Sequence, residues 1–367
     1  MRHMMQRVTL AVVTATFLAV IGNGAAAVAA PRIAGAVYSL TNSASGNQVM
    51  VFLRDSGGGL HPAGVVDTGG AGTGAELGSQ GALAIAGGGH WLLAVNAGSD
   101  SVSALRITSS LGVKWMNTVP SGGSEPVSLS VHGHLVYVVN TGSDNIRGFW
   151  LGASGLSPIT HSTRPLSGSG VGPAQISFGL SGRVLVVTEK NTNAIDTYVV
   201  RADGRVRGPA THPSAGQTPF GFVFAGPYLV PTEAFGGGAG ASAVSSYRVT
   251  ASGGTKLLSA SVPNGQSASC WAAISPTTRD IYVANTGSST VSRYSIDAEG
   301  LIRLRDGAAA TTGGGPADEA FTPDGRYLYV LNGADGTISA FQAHGTLAPM
   351  DGASGLPAGA AAGLVTI

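Results

Sequence analysis

The sequence predicts an all-β fold, a seven-bladed β-propeller closed by the C-terminal strand. Three observations support this prediction. A hairpin motif recurs seven times, the repeat of about 45–50 residues has the length of one four-stranded blade, and a strand-like segment is left over at the C-terminus.

The clearest copy of the hairpin is Leu135–Trp150, where the apolar run VYVV ends at Asn140 and a Gly/Ser/Asp turn leads to a second run from Ile146. Two β-rich runs joined by a short polar turn indicate a β-hairpin. The equivalent positions in the seven copies carry Asn or Glu, and they are Asn42, Asn96, Asn140, Glu189, Glu233, Asn285 and Asn332.

The first hairpin begins at Ala36 without an inner strand of its own ahead of it. The C-terminal segment Ala362–Ile367 has the pattern of the other inner strands, for example Pro126–Val131. An incomplete blade would expose an unpaired strand edge, which β-proteins avoid. We therefore predict that the C-terminal strand completes the first blade, and that residues 30–367 form one domain.

Residues 1–29 have the three parts of a secretory signal peptide. Arg2 and Arg7 precede an apolar run from Val8 to Ile21, and small residues follow, with a cleavage site near Ala29. The apolar run is shorter than the roughly 20 residues of a membrane helix. The sequence thus predicts a secreted or periplasmic protein without a membrane span.

Composition narrows the function classes. A single cysteine excludes an internal disulfide. A net charge of +1 with 11% charged residues argues against nucleic-acid binding. No cofactor and no metal site is predicted, and the expected partner of this monomer is a small lactone or sugar-like molecule.

The seven Asn/Glu positions and the starts of the inner strands share one face, because the first two strands of a blade are antiparallel. Asn at such a position commonly caps its own turn. Glu189 and Glu233 break the repeat in neighbouring blades, so we predict that they are catalytic acid–base groups at the channel mouth. The alternatives are solvated surface acids, or carboxylates paired with Lys190 or Arg248.

Polar and aromatic residues near the starts of the inner strands are predicted to rim the channel and bind substrate. They are Gln175, Trp271, Asp318 and Glu319. A Trp among polar groups suits a sugar-like or planar acyl ligand, although a Trp that plugs the channel is equally ordinary.

Other reactive residues offer weaker candidates. Cys270 lies beside Trp271, but no His is expected on that face to activate it. His132 and His134 fall in a turn on the opposite face, where their spacing is only a weak metal signal. The Gly-rich loop 236–240 is a candidate lid or anion-binding nest.

At Tyr137–Asn140, Tyr282–Asn285 and Tyr329–Asn332, together with the turn Pro323–Arg326, the chain resembles the YVTN-type repeats of lactonase-type seven-bladed propellers. That family includes 6-phosphogluconolactonase-like proteins and fungal carboxymuconate cyclase. The resemblance covers essentially the whole predicted domain, and it implies lactone chemistry.

The resemblance also implies a functional Glu at the end of a second strand, which Glu189 and Glu233 match. It implies a His after the Pro that starts an inner strand, where this chain carries other residues, namely Val127, Ala174, Phe220 and Ala317.

Two functions are therefore open. One is an exported lactonase-like enzyme that hydrolyses or forms a lactone with carboxylates at the channel mouth. The other is a non-catalytic propeller that binds a ligand or a protein at the cell surface. The fold alone does not separate them.

Export predicts a processed N-terminus. Protein recovered from its native host should begin at Ala30, or within a residue or two of it, when its N-terminus is sequenced. Recovery of the cytoplasmic chain starting at Met1 would contradict the signal-peptide prediction.

Overall fold

The computed structural model describes residues 32–367, which form seven β-sheets arranged as blades. The predicted signal segment lies outside the described residues. The second strand of most blades is buried at every position, as in Leu135–Asn140 and Val184–Glu189. Packed blades cover both faces of this strand, which explains why its sequence is an unbroken apolar run instead of an alternating one.

Each blade is one antiparallel sheet, numbered here from its inner strand outward. Blade 1 consists of β29 (Ala362–Thr366), β1 (Ile33–Leu40), β2 (Gln48–Asp55) and β3 (Leu60–Asp67). Blade 2 consists of β4 (Leu83–Ala86), β5 (Trp91–Asn96), β6 (Ser101–Ile107) and β7 (Val113–Pro120). Blade 3 consists of β8 (Pro126–His132), β9 (Leu135–Asn140), β10 (Asn145–Gly152), β11 (Gly155–Pro158) and the short β12 (Arg164–Pro165).

The remaining blades each have four strands. Blade 4 consists of β13 (Pro173–Gly179), β14 (Val184–Glu189), β15 (Ala194–Val200) and β16 (Val206–Pro213). Blade 5 consists of β17 (Pro219–Ala225), β18 (Tyr228–Glu233), β19 (Ala243–Val249) and β20 (Thr255–Pro263). Blade 6 consists of β21 (Ser269–Ile274), β22 (Ile281–Asn285), β23 (Thr290–Ile296) and β24 (Ile302–Thr311). Blade 7 consists of β25 (Pro316–Phe321), β26 (Tyr327–Asn332), β27 (Thr337–Ala343) and β28 (Leu347–Ser354).

The C-terminal strand closes the ring, as predicted. β29 pairs antiparallel with β1, with Val37 opposite Thr366 and Ser39 opposite Leu364. The Ser39 hydroxyl adds a hydrogen bond of 2.8 Å to the Gly363 carbonyl. Blade 1 thus contains strands from both ends of the described chain.

Blade 3 departs from the expected pattern. The other blades each have one continuous fourth strand, whereas blade 3 has two pieces, β11 and β12, which both pair with β10. Pro158 ends the first piece because it lacks the N–H that would continue the ladder. Ile159 and Ser162 then bond to the Gly148 carbonyl and hold the intervening loop against the sheet.

Tyrosines of the second strands tie several blades to an outer turn of the next one. The Tyr137 hydroxyl donates to the Gly204 carbonyl at 2.9 Å, and the Tyr329 hydroxyl donates to the Gly58 carbonyl at 2.7 Å. Each such buried hydrogen bond contributes about 0.5–1.5 kcal/mol to stability. The Tyr of the repeat is therefore a contact between blades.

Helical segments are rare in the part of the chain that the structure describes. Two 3-10 turns occur, Ala97–Ser99 and Phe235–Gly237. Across residues 32–367, no helix has the length and apolar character needed to cross a membrane.

Deletion of Ala362–Ile367 tests the closure. The truncated protein should aggregate or lose much of its thermal stability, because β1 would become an open edge beside an empty inner position. Melting followed by circular dichroism checks this expectation. A truncated protein that melts within a degree or two of the intact chain would contradict it.

Candidate functional site

We call the upper face the one that carries the ends of the second strands and the connections between blades. The lower face carries the turns between the first and second strands. The predicted site residues all lie at the upper-face ends of first or second strands.

Side chains on the inner strands form a ring of hydrogen bonds that links blade to blade. The Ser128 hydroxyl accepts the Ile176 N–H at 3.1 Å. The Gln175 side-chain oxygen accepts the Phe222 N–H at 2.6 Å. The amide groups of neighbouring inner strands belong to different sheets, so a side chain must satisfy them.

Gln80 completes this ring where blade 5 has a glycine, Gly221. Its side-chain oxygen accepts the Ala272 N–H at 3.1 Å, and its amide nitrogen donates to the Ala272 carbonyl at 2.9 Å. The same nitrogen lies 3.3 Å from a carboxylate oxygen of Asp318. A Cβ at Gly221 would lie 2.1 Å from the Gln80 oxygen, so only glycine leaves room for it. Gln80 lies in the connection from blade 1 to blade 2, and its side chain therefore plugs the channel.

Asp318 and Glu319 lie in the wall of the channel. Asp318 is 3% exposed, and it accepts the N–H groups of Glu319 and Leu364 at 2.8 and 3.0 Å. Burial raises the pKa of Asp318 to about 7. Burial and the neighbouring Asp318 charge raise the pKa of Glu319 well above its ordinary value. Both acids thus hold protons far more strongly than exposed carboxyls do.

Glu189 is completely buried and accepts hydrogen bonds from protein donors. The Ser167 N–H and hydroxyl lie 3.0 and 2.5 Å from its carboxylate, and the Thr192 hydroxyl lies 2.6 Å away. Asp196 lies close by on β15. Burial, and in smaller part the charge of Glu189, raises the pKa of Asp196 to about 7.

Glu233 has the equivalent arrangement one blade further on. It is also completely buried, and it accepts from the Gly216 N–H at 2.9 Å and from the Ser245 and Ser261 hydroxyls at 2.5 and 2.7 Å. Burial raises its pKa. The two glutamates share no hydrogen-bond partner within residues 32–367, so the structure does not join them into one carboxylate pair.

Both side chains are buried and turn into their blades instead of toward the channel mouth, so the alternative of two solvated surface acids is wrong. Neither is paired with Lys190 or Arg248 as the alternative supposed. Lys190 donates to the Gly78 carbonyl and Arg248 to the Tyr228 hydroxyl. A catalytic role for Glu189 and Glu233 stays a prediction.

Two of the asparagines at the equivalent positions make matching contacts. Asn96 and Asn285 each donate to two hydroxyls on the third strand of their blade. Their oxygens accept from the preceding blade, through Asn47 and Asn264. Asn and Glu at these positions thus both accept hydrogen bonds from the preceding blade, and the donors to Glu189 and Glu233 are hydroxyl and N–H groups.

The accessible part of the mouth is built around Lys190, which follows Glu189 in the turn after β14. Its ammonium group donates to the Gly78 carbonyl at 2.6 Å and lies 4.8 Å above the centre of the Phe220 ring. Burial lowers the pKa of Lys190, while Glu76 and Glu125 attract its charge. Although the Glu76 side chain is exposed at the surface, nearby protein partly desolvates its carboxyl and raises its pKa, against the attraction of Lys190, which lowers it. Glu76 and Lys190 form no ion pair within 4.0 Å, but they lie close enough to attract each other, and the pKa of each is shifted toward its neutral form.

Trp271 forms the wall behind Phe220. Contrary to the prediction, its ring is not exposed to the channel. It is 1% exposed, its indole N–H donates to the Pro316 carbonyl at 2.5 Å, and its ring meets Phe220 edge to face at 4.9 Å. The role of Gln175, Trp271, Asp318 and Glu319 in substrate binding stays a prediction, since all four are buried. Burial raises the pKa of the adjacent Cys270 thiol to about 12, which makes it a poor nucleophile.

Sequence reasoning missed Glu76 and Gln80. Both lie in the connection from β3 to β4, residues 68–82, whereas the other six connections between blades span four to seven residues. The signal was available, because a connection fifteen residues long is where binding loops of rigid scaffolds occur. Because this connection is rich in Gly, its sequence is difficult to distinguish from that of the turns within the blades.

Among residues 32–367, no group of three or more His, Cys, Asp or Glu side chains is arranged to hold a metal ion.

A ring of seven antiparallel blades, a channel plugged by a side chain, and ionisable groups around one mouth define a seven-bladed propeller with a candidate site on its upper face. The model of the family described as lactonase, 7-bladed beta-propeller, matches residues 44–162, 228–320 and 271–364. The chain belongs to this family.

Solved structures share the fold at low sequence identity. A candidate 6-phosphogluconolactonase from Bacteroides fragilis is 18% identical, with a TM-score of 0.72 over 91% of this chain and 98% of that one. A second from Bacteroides uniformis is 16% identical, with a TM-score of 0.73 over 91% and 99% of the chains. The periplasmic gluconolactonase of Pseudomonas aeruginosa is 19% identical, with a TM-score of 0.69 over 90% and 99%. No curated protein matches the sequence.

The raised pKa of Asp318 predicts a pH dependence of stability. Because its folded pKa exceeds its unfolded value, unfolding releases a proton, so this group stabilises the protein most at low pH. Its contribution falls as the pH rises from about 4 to about 7 and is then constant. In Asp318→Asn, the difference in free energy of unfolding between pH 5 and pH 7 should shrink by roughly 2 kcal/mol.

Urea unfolding at the two pH values measures this difference. Asp203→Asn, at an exposed acid of the lower face, is the matched control and should keep the wild-type dependence. An Asp318→Asn protein with the same dependence as the wild type would refute the assignment.

Proposed function

We propose that the protein is an exported lactonase-like propeller that opens or forms an uncharged lactone at the upper channel mouth. The observation that supports this proposal is the electrostatic attraction between Glu76 and Lys190, whose ammonium group lies over Phe220, in a member of the lactonase propeller family. A carboxylate with a raised pKa and a half-buried ammonium group are suited to proton transfer and to anion stabilisation.

In the proposed hydrolysis, water adds to the carbonyl carbon of the lactone and Glu76 takes its proton. The Lys190 ammonium group stabilises the oxyanion that forms. The ring C–O bond then breaks, and Glu76 returns the proton to the leaving oxygen, which yields the open hydroxy acid. The reverse sequence closes a lactone.

Charge on the upper face favours an uncharged substrate over a phosphorylated one. Acids predominate in its turns and connections, and they are Glu76, Asp100, Glu125, Asp144 and Asp335. Such a surface repels a phosphate group, against the single ammonium of Lys190. In this respect the proposal is nearer to the activity named for the Pseudomonas aeruginosa gluconolactonase than to a phosphogluconolactonase. Export outside the cytoplasm fits the same choice.

The second candidate, a non-catalytic propeller that binds a ligand or a protein at the cell surface, rests on one observation. The inner-strand starts carry no His at Val127, Ala174, Phe220 or Ala317, and Lys190 covers Phe220 instead. The same mouth would then hold a lactone without opening it.

A carboxylate scan tests the proposal. Turnover of glucono-δ-lactone, its 6-phosphate and a simple aliphatic lactone is followed by pH-stat above the spontaneous rate. Glu76→Gln should lower kcat/KM by roughly 10²–10⁴-fold because it removes the proton acceptor. It should change the free energy of unfolding by less than about 0.5 kcal/mol, since the side chain is exposed.

Glu189→Gln and Glu233→Gln are the matched buried variants. Each replaces an acceptor within a shell of donors, so each should cost about 1–3 kcal/mol of stability. Glu299→Gln, on the lower face, should change neither quantity. Loss of turnover in Glu189→Gln or Glu233→Gln with unchanged melting would return the catalytic role to those residues. Binding without turnover of all three lactones would favour the second candidate.

A further inference from the structure

The lower mouth of the channel holds a cavity that the reaction at the upper face does not use. Its volume is about 510 Å³, within the range of small-molecule sites. It lies between the lower ends of three inner strands, β8, β13 and β17, in blades 3, 4 and 5. Gln80 closes the channel above it, so the two mouths are separate.

Two partly buried aromatic rings, Phe178 and Phe224, form apolar walls of this cavity. The His132 ring packs against Phe178 at 6.0 Å between ring centres. The rings rest directly on backbone, because a Cβ at Gly179 would lie 2.3 Å from the Phe224 ring and a Cβ at Gly182 would lie 2.1 Å from the His132 ring. Glycine at both positions is therefore what lets the rings line the cavity.

The turn between these glycines is strained. Leu180 and Ser181 have φ values of 52° and 53°, a left-handed conformation that costs a non-glycine residue about 1–2 kcal/mol. The Nε of Arg183, whose side chain is exposed, donates to the Leu180 carbonyl in this turn at 3.1 Å. Backbone strain of this kind concentrates at functional sites.

The cavity is polarised to accept an anion. Arg183 has no carboxylate within salt-bridge distance among residues 32–367, and its two terminal amino groups have no hydrogen-bond partner there. No acidic residue lines the cavity. Ser130, whose oxygen accepts the Phe178 N–H at 3.1 Å, keeps its hydroxyl hydrogen free to donate. A planar guanidinium with two free donors matches a carboxylate bidentately.

We propose that this lower-face cavity is a second binding site, specific for a small aromatic carboxylate. The carboxylate pairs with Arg183, and the ring lies against Phe178 and Phe224. The site is independent of lactone turnover at the upper mouth.

Equilibrium dialysis with benzoate tests the site, with benzamide as the neutral analogue and inorganic phosphate as the anion without a ring. Benzoate should bind with 1:1 stoichiometry, at least about tenfold more tightly than either comparison ligand. Arg183→Gln should weaken benzoate binding by at least about tenfold, because a neutral amide replaces the guanidinium. Phe178→Leu should weaken it by a few-fold.

Arg201→Gln is the matched control, since Arg201 is an exposed arginine in another turn of the same blade and face. It should bind benzoate like the wild type, and so should Glu76→Gln, which separates this site from the upper one. Any of three results would overturn the proposal: no saturable benzoate binding, equal binding of benzamide or phosphate, or unchanged binding in Arg183→Gln.

Discussion

The fold depends on satisfying the backbone amides of inner strands that belong to different sheets. Adjacent blades meet at the channel without a shared ladder, so their N–H groups need acceptors from side chains. Ser128, Gln175 and Asp318 supply them between successive blades, and Gln80 supplies one from a distant connection. Polar residues in the channel wall are thus explained first by the assembly of the ring.

The same requirement explains why the positions of Glu189 and Glu233 could be predicted from the sequence but the orientation of their side chains could not. The repeat correctly predicted the blades, the closing strand and the face on which Glu189 and Glu233 lie, because strand period and topology follow from local sequence. The repeat did not reveal that both side chains turn into their own blades, away from the channel mouth. Their burial depends on contacts with Ser167 and Gly216, which lie in connections from the preceding blade. Local sequence patterns do not predict that these segments come into contact in the fold.

The contacts around Glu189 and Glu233 also give a structural cause for the loss of Asn at these two positions. An amide needs both acceptors and donors around it, whereas a carboxylate needs donors only. Around Glu233 the partners are two hydroxyls and an N–H, so the change follows the local supply of donors. By contrast, Glu76 stood outside any repeat and carried no pattern by which comparison of blades could find it.

Glu76 and Gln80 lie four residues apart on one connection, and this arrangement has a mechanical consequence. A molecule that settles against Glu76 and shifts the connection also pulls on Gln80, whose bonds reach Ala272 and Asp318 in blades 6 and 7. If the proposed upper mouth were occupied, such a shift would strengthen or weaken the contacts between blades that are remote along the chain.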